Sequence, residues 1–328
     1  MTPTVNNRAV LTVNDLRVYY DTPAGTVKAV DGVSFDLRPG ERLGLVGESG
    51  SGKSTMALAL MRMHKPPARI AGGEVLLDGV GDVMDLDDEG LRRIRLDRLA
   101  LVPQGAMNSL NPVMRVRDQL ADGIRTHEPG DDRDALTARI RAQLARVGLD
   151  ADVGGKFPHE LSGGMKQRVA IAIGTSLSPS VIIADEPTSA LDVVVQRQVM
   201  ETLRSVQEEI GASVLIVGHD MGLMAQIADR MGVMYAGKLV ELAPVHDLFT
   251  NPQHPYTRLL IESVPTLMAK RALASIPGAP PTLINVPPGC PFHPRCPSAF
   301  EPCDSEVPLP MSQNGRVVSC HLYPEQAA

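Results

Sequence analysis

Residues 42–60 read RLGLVGESGSGKSTMALAL, an apolar run followed by a glycine-rich stretch and a segment of helical composition. This order predicts a strand at 42–46, a loop, and a helix at 54–60. Residues 47–54 fit the spacing G-x-x-x-x-G-K-S, in which successive backbone N–H groups converge on phosphate oxygens at a helix N-terminus. The segment therefore predicts a phosphate-binding site within an α/β fold.

Individual side chains of this loop have expected roles. The Lys53 ammonium would bridge the β- and γ-phosphates of a nucleotide, and the Ser54 hydroxyl would hold Mg²⁺. A glycine-rich turn without a ligand is the alternative, but the strand before the loop and the helix after it favour phosphate binding. The remaining expected nucleotide contacts are Gly47, Ser49, Gly50, Ser51, Gly52 and Thr55.

Length and composition limit the class of protein. At 328 residues the chain exceeds one compact core, so a domain with an appendage, or two domains, is expected. A net charge of -6, without a basic cluster interleaved with aromatic residues, argues against a nucleic-acid partner. The chain has no apolar run near the roughly 18 residues that span a bilayer and no signal-peptide core at its start. We therefore expect a cytosolic protein whose membrane contact is peripheral.

Periodicity predicts the remaining core elements. Residues 181–184 and 214–217 are short, fully apolar, β-branched runs typical of buried parallel strands. Residues 132–148 and 194–210 have the pattern of amphipathic helices. An α/β core follows from these runs together with the phosphate-binding loop.

An antiparallel portion and a C-terminal appendage flank this core. Residues 8–20 and 27–37 predict two strands joined by a turn. Proline becomes frequent from about Asn251, and helical periodicity persists there only over 255–263. We place a domain boundary at this point, giving a nucleotide-binding domain at 1–250 and an extension at 251–328.

Two carboxylates end the apolar run at 181–184. Asp185 and Glu186 would lie at the carboxyl edge of the sheet, where α/β proteins bind ligands. Asp185 suits the magnesium shell, and Glu186 suits the attacking water. Two acids after a strand can equally be a solvated strand end, but their position downstream of a phosphate-binding loop favours the catalytic interpretation.

Residues 161–167, LSGGMKQ, lie just before an amphipathic helix, where Ser162, Gly163 and Gly164 could offer donors to a phosphate. In isolation this pattern is a helix cap. It also resembles the signature motif of ABC ATPases, and further elements follow in that family's order. Tyr20 resembles the adenine-stacking aromatic, Gln104 the Q-loop glutamine, Asp192 the D-loop aspartate, and His219 the switch histidine.

The resemblance covers roughly residues 8–245 and implies a P-loop ABC ATPase core with an antiparallel β subdomain and a helical subdomain. A small, loop-rich C-terminal cysteine module would follow. The family's site is composite, so ATP on one subunit's P-loop would be closed by Ser162, Gly163 and Gly164 of a facing subunit. Glu186 would act as general base and His219 would contact the γ-phosphate. Gln104 would join Ser54 and Asp185 around the metal and pass movement to membrane subunits.

Three further segments, 108–112, 251–257 and 289–297, resemble the dipeptide, oligopeptide and nickel importer ATPases. Two departures concern Gly218, where Thr or Ser is usual, and residues 102–107, a variant also met in oligosaccharide relatives. The resemblance implies import of peptides, with nickel or oligosaccharide as alternatives. It also implies a second ATPase subunit in a homo- or heterodimer, two permease subunits, and an extracytoplasmic solute-binding protein. The location would be the cytoplasmic face of the cell membrane.

Other classes fit less well. A soluble ABC ATPase of DNA repair or the ribosome would show a coiled-coil insertion or a second cassette, and this sequence has neither. A regulatory protein with an inactive ATPase fold would lack Lys53, Glu186 or His219, and all three are present. An exporter would usually fuse membrane spans to the cassette, so the direction of transport rests on the family resemblance.

All four cysteines lie near the C-terminus with the spacing C-x₅-C-x₆-C-x₁₆-C, a poor match to the tight pairs of zinc ribbons. Four thiolates in a proline-rich tail suit an iron–sulfur cluster. The resembling family's extension implies a [4Fe-4S] cluster with a structural role, ahead of zinc and of free thiols. The expected ligands are Cys290, Cys296, Cys303 and Cys320.

Overall fold

The computed structural model describes residues 9–105, 109–130, 132–264, 276–313 and 315–323. The chain divides into two compact units. The first unit comprises the described parts of Met1–Leu11, Asp36–Arg42 and Leu76–Val217, and the second those of Thr12–Phe35, Leu43–Val75 and Gly218–Ala328. Residues on both sides of position 250 belong to the second unit, and the domain boundary placed there stays a prediction.

The described residues contain both β-strands and α-helices. The strands are β1 (Leu11–Thr22), β2 (Gly25–Leu37), β3 (Arg42–Val46), β4 (Ala68–Leu77), β5 (Gly81–Asp82), β6 (Leu99–Val102), β7 (Val181–Asp185), β8 (Ser213–Val217), β9 (Arg230–Tyr235), β10 (Lys238–Pro244), β11 (Met311–Gln313) and β12 (Arg316–Val318). The helices are α1 (Lys53–Leu60), α2 (Asp88–Ile94), α3 (Val116–His127), α4 (Arg133–Arg146), α5 (Gly163–Gly174), α6 (Val193–Ile210), α7 (Met221–Ala225), α8 (Val245–Thr250) and α9 (Pro255–Glu262). Among the described residues, no helix is both long enough and apolar enough to span a bilayer.

A parallel sheet of three strands forms the core of the first unit. β7 lies between β6 and β8, with Leu99 opposite Val181 and Val181 opposite Ser213. Every residue of β7 and β8 is buried, as expected for apolar, β-branched strands covered on both faces. The two strands predicted from the apolar runs are therefore confirmed.

The predicted amphipathic helices of the first unit are also confirmed, as α4 and α6. α6 begins after Asp192, whose side chain caps the helix, and ends at Gly211, which has a φ of 68°. Its buried face carries Val199, Leu203 and Val206. This spacing of four and three residues places the three side chains on one stripe of the helix.

The second unit contains the predicted antiparallel portion. β1 and β2 are confirmed as strands, and β1 lies between β2 and β4 in the sheet. Along β1 the side chains of Leu11 and Val13, and then of Leu16 and Val18, are buried, while the exposed positions are polar. This pattern is typical of a sheet with one face on the core.

The strand before the predicted phosphate-binding loop at 47–54, called the P-loop from here on, belongs to a second set of strands in this unit. β3 runs parallel to β9, β9 is antiparallel to β10, and β10 is antiparallel to β12. β12 pairs through Val318 opposite Glu241 and also joins β11. The C-terminal region, meaning the described residues after position 250, thus adds two short strands to the same sheet as β3, which the sequence did not predict.

An aromatic cluster packs the C-terminal region against this sheet. The ring centroids of Tyr235 and Tyr256 lie 4.6 Å apart, and both rings lie within 5.3 Å of the Phe292 ring. All three side chains are almost completely buried. Aromatic side chains at these separations contribute both apolar burial and favourable ring contacts, so this cluster is a core element of the second unit.

Replacement of Phe292 by alanine should destabilise the protein by about 3–5 kcal/mol, because it removes a large side chain from a packed interior. Phe300→Ala is the matched control, since the Phe300 side chain is 46% exposed, and its cost should stay within about 0.5 kcal/mol. Urea unfolding of the full chain, followed by circular dichroism, measures both values. Equal free energies of unfolding for the two variants would contradict the proposed importance of the cluster.

Candidate functional site

The P-loop requires glycine at two of its positions because neighbouring backbone lies against it. Gly47 has a φ of 149°, and a Cβ there would lie 2.2 Å from the carbonyl oxygen of Met234. Gly52 has a φ of 101°, and a Cβ there would lie 1.9 Å from the carbonyl oxygen of Ala29. Gly50 also has a positive φ, 78°, but a Cβ there would meet no atom within 4 Å among the described residues.

Lys53 begins α1 and places its ammonium group inside the loop. Its Nζ donates hydrogen bonds to the carbonyl oxygens of Gly47 and Glu48, each at 2.9 Å, and to Ser51 Oγ at 3.2 Å. The residue is 4% exposed. A buried cation at a helix N-terminus, below an exposed turn, is an arrangement that suits an anionic ligand.

Tyr20 lies beside the helix that follows the P-loop. Its hydroxyl is 3.1 Å from Thr55 Oγ1, in the first turn of α1, and its ring is half-buried. The second unit therefore brings the predicted adenine-stacking aromatic next to the predicted phosphate site. His219 is exposed and directly precedes Asp220, whose side chain caps α7 by accepting a hydrogen bond from the Leu223 N–H.

In the first unit, β7 ends at the buried Asp185, and Glu186 follows with a φ of 42°. The Glu186 N–H donates to the carbonyl oxygen of Val217 at 2.9 Å. Gln104 Nε2 donates to Glu186 Oε2 at 2.8 Å. The structure thus brings together two predicted site residues that are 82 positions apart. A left-handed backbone at a non-glycine residue costs of order 1–3 kcal/mol and is typical of functional sites.

The signature segment has a structural role as well as a predicted functional one. Ser162 caps α5, since its Oγ accepts a hydrogen bond from the Met165 N–H at 3.3 Å. A Cβ on Gly164 would lie 2.6 Å from Val195 Cγ1, so the glycine allows α5 and α6 to approach closely. The Ser162 hydroxyl keeps its own proton to donate, because a capping hydroxyl uses only an acceptor position. Asp192 caps α6 by accepting from the N–H groups of Val194 and Val195, both at 3.1 Å.

The four cysteines are unpaired and line one small cavity in the second unit. Burial raises the pKa of the Cys290 and Cys296 thiols and raises that of Cys320 to about 11. These thiols are therefore protonated at neutral pH. Across the described residues, no group of three or more His, Cys, Asp or Glu side chains has the arrangement of metal ligands. The iron–sulfur or zinc centre is not confirmed and stays a prediction.

Three residues of the predicted motifs, 106–108, lie outside the described residues. They include part of the Q-loop variant at 102–107 and the first residue of the segment at 108–112.

The sequence did not predict two contacts that the P-loop makes through Glu48. Arg295, in the C-terminal region, forms a two-point ion pair with Glu48, with Nη1 2.8 Å from Oε2 and Nη2 3.0 Å from Oε1. The two residues are 247 positions apart, and nothing in either local sequence indicates the partner. Tyr256 was missed in the same way, and its hydroxyl accepts a hydrogen bond from the Glu48 N–H at 2.9 Å.

Comparisons with known proteins agree with this geometry. Residues 30–189 match the ABC transporter family model, and residues 240–303 match the model of the oligopeptide/dipeptide transporter C-terminal region. The chain is 42% identical over 313 residues to the oligopeptide transport ATP-binding protein of Salmonella typhimurium, covering 95% of this chain and 93% of that protein. It is 41% identical over 324 residues to the dipeptide transport ATP-binding protein of Bacillus subtilis, covering 97% and 96%.

A similar solved structure is the ATP-binding cassette MJ0796, a dimer in a post-hydrolysis state bound to ADP and Pi. It has a TM-score of 0.64 and 28% identity, and covers 72% of this chain and 98% of that one. The fold and the P-loop define the class as an ATP-binding cassette ATPase. Within that class, the chain belongs to the oligopeptide/dipeptide transporter ATPases of the ABC transporter family. It binds ATP with Mg²⁺ and couples ATP hydrolysis to transport.

Gly52→Ala should abolish ATP binding, because the new Cβ would overlap the Ala29 carbonyl oxygen and displace the loop. Gly50→Ala is the matched control at another positive-φ glycine with open space around it. In that variant the left-handed backbone of the alanine should cost only about 1–2 kcal/mol of stability, and ATP binding should remain measurable. Titration calorimetry with Mg-ATP measures both affinities, and equal losses would contradict the role of the Ala29 contact.

Proposed function

We propose that this chain powers the import of dipeptides or oligopeptides, with nickel and oligosaccharides as alternative cargoes. The observation that supports the peptide assignment is the match over 240–303 to the oligopeptide/dipeptide transporter C-terminal region, outside the general ATPase core. The names of the relatives at 41–42% identity, which span nearly the whole chain, support the same cargo.

The nucleotide would bind through the P-loop of the second unit. Backbone N–H groups and the Lys53 ammonium would hold the phosphates, with Tyr20 stacking on the adenine. Supporting this are the buried position of Lys53, its three hydrogen bonds within the loop, and the contact of Tyr20 with Thr55. The full proposed set of nucleotide contacts is Tyr20, Gly47, Ser49, Gly50, Ser51, Gly52, Lys53, Ser54 and Thr55.

Glu186 would take the proton of the attacking water. The Gln104 amide donates to Oε2 of the Glu186 carboxylate, which orients that carboxylate. The carboxylate would accept the water proton as the water oxygen bonds to the γ-phosphorus and the bond to ADP breaks. His219 would contact the γ-phosphate. By family resemblance, Mg²⁺ would be held through Ser54, Asp185 and Gln104.

Hydrolysis would require a dimer in which Ser162, Gly163 and Gly164 of the facing subunit close over the nucleotide. Two apolar side chains next to the D-loop aspartate Asp192 support an interface there, since Val193 and Val194 are 79% and 67% exposed. Exposed adjacent apolar side chains often mark contacts with a partner. The facing subunit would be a second copy or a similar ATPase.

Two permease subunits and, indirectly, an extracytoplasmic solute-binding protein would complete the transporter. The chain would then lie at the cytoplasmic face of the cell membrane as a peripheral subunit. Residues 1–250 would form the nucleotide-binding domain and residues 251–328 the extension of the oligopeptide transporter type. The loss of the γ-phosphate would remove contacts that hold the dimer closed, and the permeases would follow the reopening.

The Glu186→Gln variant tests this function. It should bind ATP, lose most turnover and accumulate as the closed dimer, because the amide cannot accept the proton of water. Cells that carry it in place of the wild-type chain should lose uptake of labelled dipeptides and oligopeptides. Glu201→Gln, on the exposed face of α6, is the matched control and should retain uptake. Normal peptide uptake in cells lacking the chain would overturn the cargo assignment, and wild-type turnover of Glu186→Gln would overturn the role of Glu186.

The four cysteines would hold a [4Fe-4S] cluster, with zinc as the alternative. The number and kind of donors support this proposal, because four unpaired thiols line one cavity and a cubane cluster takes four cysteine ligands. In the described structure the thiols do not have the arrangement of metal ligands, so binding would have to draw them together. Because a metal binds the thiolate form of cysteine, binding would release thiol protons to solvent. When bound, the group would cross-link the C-terminal region.

Anaerobic purification followed by iron, sulfide and zinc analysis checks this proposal. Wild-type protein should contain about four iron and four sulfide per chain, the composition of a [4Fe-4S] centre. Cys296→Ser should lower both, whereas Ser298→Ala, which lies on the same cavity without supplying a thiol, should not. If the analysis instead finds one zinc per chain, the four cysteines hold zinc and the cluster assignment is wrong. Metal content unchanged by Cys296→Ser would remove Cys296 from the ligand set.

A further inference from the structure

The P-loop carries an acidic side chain at its second position, next to the place where phosphates would bind. The Glu48 side chain is only 25% exposed. A carboxylate so close to a bound triphosphate would repel it, and a partly buried carboxylate without a partner is itself unfavourable. The Glu48 carboxylate therefore needs a cation beside it. The ammonium group of Lys53, within the loop, donates to the carbonyl oxygens of Gly47 and Glu48.

Arg295 provides that cation in a fixed geometry. Besides the two bonds to the Glu48 carboxylate, its Nε donates to the Pro277 carbonyl oxygen at 2.7 Å and its Nη2 to that of Gly278 at 3.3 Å. Its Nη1 also donates to the Tyr235 hydroxyl at 3.2 Å. The Arg295 side chain is 6% exposed. A planar guanidinium held at this many points leaves the carboxylate little freedom to move.

The backbone of Glu48 links this ion pair to the phosphate-binding groups. Its N–H donates to the hydroxyl of Tyr256 in α9, which lies in the C-terminal region. Its carbonyl oxygen accepts from Lys53 Nζ at 2.9 Å and from the Ser51 N–H at 3.2 Å. Glu48 thus contacts the C-terminal region on one side and the lysine that would bind phosphate on the other.

Arg295 is itself well anchored. It lies in a 3₁₀ turn, His293–Arg295, and its N–H donates to the carbonyl oxygen of Phe292 at 2.9 Å. Phe292 belongs to the buried aromatic cluster. The turn lies in the sequence between Cys290 and Cys296, two of the cysteines that line the cavity. The guanidinium is therefore held by a packed part of the second unit.

We propose that Arg295 is a positioning residue for ATP, which holds the P-loop through Glu48 in the shape that binds phosphate. The C-terminal region then forms part of the nucleotide site, in addition to any role in the transporter. This inference rests on the proposed binding of the ATP phosphates to the P-loop. It does not depend on the cargo or on a metal at the cysteines.

Arg295→Met is the variant that tests the proposal. Without the guanidinium, the Glu48 carboxylate loses a two-point ion pair, and the loop backbone that it anchors becomes freer to move. The KM for ATP should rise about tenfold, equivalent to about 1.4 kcal/mol, while kcat changes by less than about twofold. Arg295→Lys keeps the positive charge but cannot form the two-point hydrogen bond to the carboxylate, so it should restore only part of the affinity. Steady-state ATPase assays and Mg-ATP titration of the full chain measure both quantities.

Arg258→Met is the matched control for loss of anchoring in the C-terminal region. Arg258 donates to the Tyr323 hydroxyl at 2.9 Å and to the Pro252 carbonyl oxygen at 2.8 Å. Neither acceptor belongs to the P-loop, so its loss should lower the melting temperature without changing the KM for ATP. If Arg258→Met raises the KM as much as Arg295→Met, the ion pair is only a structural anchor and the proposal is wrong.

The double variant Glu48→Gln with Arg295→Met separates positioning from charge. Under the proposal the double variant binds ATP as weakly as Arg295→Met alone, because the two-point contact that holds the loop is still missing. Full recovery would show that Arg295 only neutralises Glu48 and would overturn the positioning role. Lys53→Ala tests the proposed phosphate site on which this inference rests. Normal ATP affinity in that variant would overturn the phosphate site itself. Normal affinity in Arg295→Met, with Lys53→Ala inactive, would overturn only this inference.

Discussion

The nucleotide loop depends on two backbone contacts that only glycine permits. The carbonyl oxygens of Met234 and Ala29 lie where side chains at Gly47 and Gly52 would otherwise project. The loop lies directly against these neighbours, and the carbonyl oxygens of Gly47 and Glu48 accept hydrogen bonds from the ammonium group of Lys53. The tip of the loop, Ser49 and Gly50, is exposed, and phosphate oxygens would approach there.

The groups predicted for hydrolysis are also positioned by contacts that have a structural purpose. Ser162 and Asp192 cap helices α5 and α6, and Gly164 allows these helices to approach. Gln104 fixes one oxygen of Glu186, whose backbone has an unfavourable left-handed conformation. A single residue can thus stabilise the fold and serve the reaction, so a structural explanation for a motif residue does not argue against a catalytic one.

The C-terminal region contributes to the second unit in three ways. It adds β11 and β12 to the sheet that contains the P-loop strand, and it supplies Phe292 to a buried aromatic cluster. It also places Arg295 against the carboxylate of Glu48. A region with few large apolar residues is therefore held by strand pairing and by a mostly buried ion pair, in which the polar groups satisfy one another.

The sequence by itself determined the P-loop, the buried strands β7 and β8, the helices α4 and α6, and the family. These features depend on local periodicity and on motif spacing, which report hydrogen bonding and burial between near neighbours in the chain. The assignment of Gln104 to the site was reached only through the family's motif order, and its hydrogen bond to Glu186 was shown only by the structure. The short strands β11 and β12, the convergence of the four thiols on one cavity, and the Arg295–Glu48 pair were decided by the tertiary structure. Three-residue strands carry too little pattern to identify, and contacts between residues hundreds of positions apart depend on how the intervening chain folds rather than on any local preference.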